Sequence, residues 1–213
     1  MSKATFVTHS DFLSYPPSLN LAQFDGCVWA LGKSQVGMKE DEYIRMTHDF
    51  PMEAARAIIE AKKAAKSAGE AEGDKPLRFV YVSGQSADQT GKSWILFARV
   101  KGKTEADLVK VSEESDGILI PHFLRPGYFF PEAEDARDTR GTFARLTDKI
   151  RTPMISTFIP NLYIRARSLG QFAVEAAKGT WGNDQIFDNA RMTALLKERF
   201  GGSSSGDVAR DEL

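Results

Sequence analysis

An α/β fold built on a parallel sheet is predicted by three observations on these 213 residues. Short continuous apolar runs, Cys27 to Leu31, Phe79 to Val82 and Gly117 to Leu124, have the length of strands buried on both faces. Longer segments with helical periodicity separate them. Each run ends in residues that stop a strand, at Gly32, Ser83-Gly84 and Arg125-Pro126-Gly127. Strand, helix, strand, helix, strand in that order implies crossovers that place helices on both faces of one sheet.

Ala4 to Thr8 is a short β-type run, and Ser14-Tyr15-Pro16-Pro17-Ser18 is turn chemistry leading into a brief helix that ends near Phe24. After the Cys27 to Leu31 strand, polar Lys33 to Lys39 is a loop. Glu40 to about Lys66 is helical, with Ala54, Ala55, Ile58 and Ile59 on one apolar face. Pro51 is expected to kink that helix or split it in two. A charged loop from Gly69 to Lys75 precedes the second strand, and a helix from about Ser93 to Val111 follows it. Beyond Pro131 the pattern is less regular. It holds an acidic stretch from Glu132 to Asp138, an amphipathic segment around Thr142 to Ile150 and a proline-punctuated run to Pro160. A helix near Ser168 to Lys178 and a last short strand at Ile186-Phe187 complete the elements. One domain over residues 1–200 is expected, with 4–131 as sheet core and 132–200 as an irregular substrate region. Residues 201–213, opening with Gly201-Gly202-Ser203-Ser204-Ser205-Gly206, form a flexible tail because they cannot bury enough apolar area to order themselves.

Composition excludes several functions. With 28 Lys plus Arg against 29 Asp plus Glu there is no net basic field of the kind that holds nucleic acid. The single Cys27 rules out a disulfide framework, and in its apolar run it reads as a small buried hydrophobe. His9, His48 and His122 stand far apart, and neither they nor Cys27 form a metal-ligand spacing, so no metal is expected. His48-Asp49 falls on a helix, at its surface or cap. No apolar stretch approaches the roughly 18 residues of a membrane span. A cytoplasmic location follows, the alternative being the endoplasmic reticulum, because the chain ends Arg210-Asp211-Glu212-Leu213 like a retrieval signal.

Four segments stand in a familiar order: Phe24 to Gly32, Arg78 to Gly84, Phe97 to Glu105, and Arg125-Pro126-Gly127. Together they resemble the atypical short-chain dehydrogenase/reductases, the small NAD(P)-binding, nucleoside-diphosphate-sugar epimerase-like proteins. The resemblance covers about residues 4–190 and is strongest over 24–131. It implies a Rossmann-like parallel sheet with flanking helices and NADP or NAD as cofactor, with a small-molecule substrate. Leu31 and Gly32 would then close a strand beside the cofactor ribose, and Ser83 would bond a substrate oxygen. Lys101 would hold the nicotinamide ribose, and Pro126 and Gly127 would approach the nicotinamide. Ligands in open α/β sheets lie outside the carboxyl ends of the strands, which is where Gly32, Ser83 and Arg125-Pro126-Gly127 fall.

Two departures matter. The family's oxidoreductases carry a tyrosine four residues before the lysine, and this chain has Phe97, whose ring has no proton to give. Tyr128 either supplies a hydroxyl in its place or serves only the core. The sequence also has no G-x-G-x-x-G turn to bind a pyrophosphate on backbone amides. Residues 1–12 look instead like the family's third strand, as if the first two strands, on the order of 60 residues, were missing. The Cys27 to Leu31 strand would then be an apolar edge. Either the first strand shifts beside it, a partner chain pairs with it, or the chain is N-terminally incomplete. Homo-oligomerisation through that edge is one expected outcome.

Two functional readings follow. One is an NAD(P)-dependent oxidoreductase or isomerase of small-molecule metabolism, with Ser83, Lys101 and Tyr128 as catalytic candidates. The other is a non-catalytic Rossmann-like binding protein using the same crevice, for which Gly32-Lys33-Ser34-Gln35-Val36-Gly37 is the candidate anion-binding turn.

Overall fold

The structure, a computed structural model, describes residues 4–70, 75–127 and 163–201. Its four strands are β1 (Gly26–Trp29), β2 (Leu77–Val82), β3 (Leu119–Arg125) and β4 (Ile186–Asp188). They form one sheet in the order β1-β2-β3-β4, parallel throughout. The register sets Cys27 beside Phe79 and Val80 beside His122. The helices are α1 (Glu40–Ile44), α2 (Phe50–Ser67), α3 (Leu96–Glu113), α4 (Ala166–Lys178) and α5 (Asn189–Phe200). Among the described residues, no helix is long and apolar enough to cross a membrane.

Alternation along the central strands divides the core in two. Leu77, Phe79 and Tyr81 of β2, with Trp29, Leu119 and Phe123, pack against Met52, Ala55, Ile58 and Ile59 of α2 and Leu108 of α3. Val80, Leu124 and Phe187 face the other way, against Leu169, Phe172 and Ala176 of α4 and Met192 of α5. Strands buried on both faces have no polar side to show, which is why β2 and β3 read as continuous apolar runs.

Pro51 interrupts its helix in a specific way. The chain stays helical from Glu40 to Ser67, but Arg45–Asp49 widens into a π-helical turn just before Phe50 and Pro51. A proline has no N–H for the carbonyl four residues back, here that of Thr47. That carbonyl accepts Tyr81 Oη at 3.0 Å and Thr104 Oγ1 at 3.2 Å. The helix break is thereby turned into a junction between α2, β2 and α3.

Three sequence expectations need correction. Residues 4–8 form no strand, and Phe6 and Val7 stand 95% and 67% exposed. A β-type pattern states side-chain preference, but a strand also needs a partner's amides and carbonyls in register. Among the described residues no strand lies beside β1, and residues 4–8 in particular do not, so of the three expected outcomes the shift of the first strand into that place is overturned. Instead Pro17–Leu19 and Leu21–Gln23 form two 3-10 turns hinged at Asn20, which takes the left-handed conformation at φ 44°. Second, β1 ends at Trp29, so Leu31 and Gly32 belong to the loop after the strand. Third, Asn189–Phe200 is a helix that the sequence reading missed, capped by Asp188 Oδ1 accepting from the Arg191 amide at 2.8 Å. The expected segments between 128 and 162, and the tail beyond 201, lie outside the described residues.

Candidate functional site

The carboxyl ends of β1 and β2 open onto a cleft of 440 Å³. Its wall on the β1 side is the loop from Ala30 to Val36, its floor is Tyr81, Val82 and Ser83, and its far wall is Phe97 and Lys101 of α3. Tyr43 and Thr47 close it from the helical side. Of the residues expected in the site, Leu31, Gly32, Ser83 and Lys101 therefore meet in one place.

Ser83 is buried, 2% exposed. Its amide donates to the Leu124 carbonyl at 2.8 Å, which extends the β2–β3 ladder one step past the strand. Its carbonyl accepts Lys101 Nζ at 2.6 Å, and the Val82 carbonyl accepts the same ammonium at 3.3 Å. Its hydroxyl is buried with no partner among the described residues. A buried hydroxyl left in that condition is costly, and it is the polar group that a ligand oxygen would satisfy.

Burial pulls the Lys101 ammonium down to about 8, with the Glu105 carboxylate opposing the fall. An ammonium has three donors, and two of Lys101's are given to the Val82 and Ser83 carbonyls. Phe97, one turn earlier on the same face of α3, lays its ring over Gly84. A Cβ on residue 84 would come within 3.2 Å of Phe97 Cε2, so the glycine lets the ring and Lys101 approach the end of β2.

The structure also supplies groups that sequence reading missed. Tyr43 is 2% exposed, and burial raises its hydroxyl's proton affinity against a hydrogen bond with Thr47. Tyr81 is held the same way, its hydroxyl committed to the Thr47 carbonyl. Gln35 Oε1, in the loop after β1, is a second buried oxygen without a partner among the described residues. No local signal marks Tyr43 or Thr47, since both come to the cleft through the α1–α2 junction created by Pro51. Cys27, partly buried on β1, packs against the core, and burial pushes its thiol up to about 12, which leaves it inert.

Pro126 and Gly127 lie at the neighbouring end of β3, outside the lining of this cleft. The Pro126 carbonyl accepts the Gln85 amide at 3.0 Å, and the Gly127 amide donates to Asn189 Oδ1 at 3.2 Å. Tyr128 lies outside the described residues. Of the three histidines, His48 bridges Asp49 and Asp107 at 2.7 and 2.8 Å, while His122 is buried under α4 and α5 with Nδ1 on the Asp184 carbonyl at 2.6 Å. His9 packs between the rings of Phe12 and Tyr15.

No protein-family model matches this sequence, and no curated protein does. Solved structures do. ADP-L-glycero-D-manno-heptose-6-epimerase of Helicobacter pylori superposes with a TM-score of 0.51 over 90% of this chain and 64% of its own, at 11% identity. UDP-glucose 4-epimerase of Thermotoga maritima, solved with UDP-glucose, gives 0.45 over 84% and 62%, at 13% identity. The fold is α/β and Rossmann-like. This chain spans less than two thirds of the length of either epimerase. At such identity the likeness is one of fold, and the chemistry has to be argued from the cleft.

Proposed function

We propose that this chain is an atypical short-chain-dehydrogenase-like protein whose cleft takes the nicotinamide-ribose end of NAD or NADP together with a small polar substrate. The observation that carries the reading is the pairing of Lys101 with Ser83 at the carboxyl end of β2. An ammonium anchored on two carbonyls lies beside a buried serine hydroxyl that has no partner among the described residues.

The residues present fit one half of a dinucleotide. Lys101 has a donor left for a ribose hydroxyl, Ser83 Oγ suits a substrate oxygen, and Leu31 and Gly32 form a wall without bulky polar groups. Pro126 and Gly127 would approach the ring from the end of β3. For the pyrophosphate the chain offers no glycine-rich turn. The loop of Lys33 and Ser34 lines the cleft, but Ser34 Oγ already accepts the Val36 amide at 3.3 Å. A nicotinamide bound there would supply or accept a hydride. Around it, Lys101 orients and Ser83 holds an oxygen. Phe97 excludes water without moving a proton. Tyr128 is the proposed source of a proton if the chain turns over a substrate.

Phe97 also supports the second reading, a protein that binds the same ligand without chemistry. General acid catalysis through residue 97 is closed, and the hydroxyl of Tyr81, which lines the cleft, is spent on the Thr47 carbonyl.

Isothermal titration with NADPH and NADH, on the native chain and on Lys101→Ala, tests both. Saturable binding weakened at least about tenfold by the substitution is expected, a loss near 1.4 kcal/mol. No heat at millimolar ligand would overturn the dinucleotide reading.

A further inference from the structure

We infer that Glu105 is the positioning residue of this cleft: one buried carboxylate ties together the helix that carries Lys101, the loop that follows Ser83 and the end of β3 that carries Pro126-Gly127. Glu105 lies one turn beyond Lys101 on the same face of α3 and is fully buried. Arg125, the last residue of β3, grips it in a fork, Nε to Oε1 at 3.0 Å and Nη2 to Oε2 at 2.5 Å. Gln89 Nε2 donates to Oε2 at 2.8 Å from the loop after β2. A bidentate guanidinium on a carboxylate fixes direction as well as distance, so the pair sets the angle at which β3 delivers Pro126.

The packing around the carboxylate is correspondingly tight. Gly102, between Lys101 and Glu105, touches the backbone of Asp88, where a Cβ would fall 2.0 Å from that residue's carbonyl. The Asp88 amide donates to the Ala98 carbonyl at 2.9 Å, and the Gln85 amide to Pro126 at 3.0 Å. Loop, helix and strand end thus meet within one turn of Glu105, and Lys101 is carried by that turn.

Charge gives the carboxylate a second role. The cleft offers Lys101 a neutral environment of Tyr43, Tyr81 and Phe97, with Lys33 on the opposite rim. Glu105 is the anion that opposes its loss of a proton, and Arg125 stands behind Glu105. The carboxylate favours the charged form of Lys101, whose hydrogen bonds to the Ser83 and Val82 carbonyls are the stronger for it.

The inference takes the location of the site from the reading above, but its test needs no dinucleotide to bind, so the two fail separately. Trace acetic anhydride labelling across pH, with each lysine quantified by mass spectrometry, reads the protonation midpoint of Lys101 in the free protein. Glu105→Gln keeps the shape and removes the charge. The Lys101 midpoint is expected to fall by about one pH unit, about tenfold more reactive amine at a given pH below it, while exposed lysines such as Lys110 are unchanged. Glu105→Asp is expected to restore much of the midpoint. If Glu105→Gln does not fold, Glu105→Asp reports instead: it draws the charge away from Lys101 by one methylene and lowers the Lys101 midpoint by a smaller amount. A folded Glu105→Gln protein with an unshifted midpoint, or, where only Glu105→Asp folds, an unshifted midpoint in that variant, would overturn the proposal.

Discussion

Tyr81 Oη donates to the carbonyl of Thr47 at 3.0 Å, filling a position that Pro51, four residues along the helix, has no N–H to fill. A central strand, a helix break and a wall of the cleft are joined by this one bond. Thr104 Oγ1 reaches the same carbonyl at 3.2 Å and so shares the duty. Tyr81→Phe is therefore expected to cost about 1 kcal/mol rather than the full penalty of a stranded buried carbonyl. Tyr81→Phe combined with Thr104→Val should cost more than the sum of the two. Urea unfolding of the single and double variants reads both values.

Gly102→Ala has a different character. The new methyl would lie 2.0 Å from backbone atoms of Asp88, which cannot swing aside as a side-chain tip can. A loss of more than about 2 kcal/mol is expected, seen as a fall in Tm. Gly84→Ala meets only the edge of the Phe97 ring at 3.2 Å, so it should fold and show its effect mainly as weakened ligand binding.

His122 gives the stability a pH dependence. Burial holds its proton affinity below the ordinary histidine value, with the Asp184 carbonyl opposing and the Arg78 charge assisting. The unfolded chain then binds a proton first as pH falls. Stability is accordingly full above about pH 6.5, the value for an unfolded histidine, and declines below it until the folded-state histidine also titrates. His122→Gln should flatten that part of the profile, measured as unfolding midpoints in urea between pH 7.5 and 5.

The side of β1 that no described strand covers carries a fourth expectation. Val28 is 40% exposed on that strand and Leu31, just beyond it, 41%. An unpaired edge with apolar side chains recruits strands from other molecules. Sedimentation velocity should show concentration-dependent self-association, reduced by Val28→Lys. A strictly monomeric protein at high concentration would show that the edge is not used.

Periodicity in the sequence was enough for β2, β3 and the long helices, because a run buried on both faces or along one stripe writes its environment into every residue. The spacing of Phe97, Lys101 and Glu105 is likewise local, since i and i+4 must share a helix face wherever the helix goes. Chain order along the sheet places Ser83 at the carboxyl end of a strand, and the family resemblance implies Lys101 beside it. Pairing was beyond that reach. Residues 4–8 have the side chains of a strand and are not one, because a ladder needs a neighbour that no local pattern supplies. The approach of Tyr43 and Thr47 to the cleft depends on how the turn before Pro51 resolves its missing hydrogen bond. The union of Glu105, Arg125 and Gln89 joins groups 16 and 20 residues apart. No local pattern marks these three as partners, and only the closing of helix, loop and strand end around them removed the water that would otherwise have solvated them.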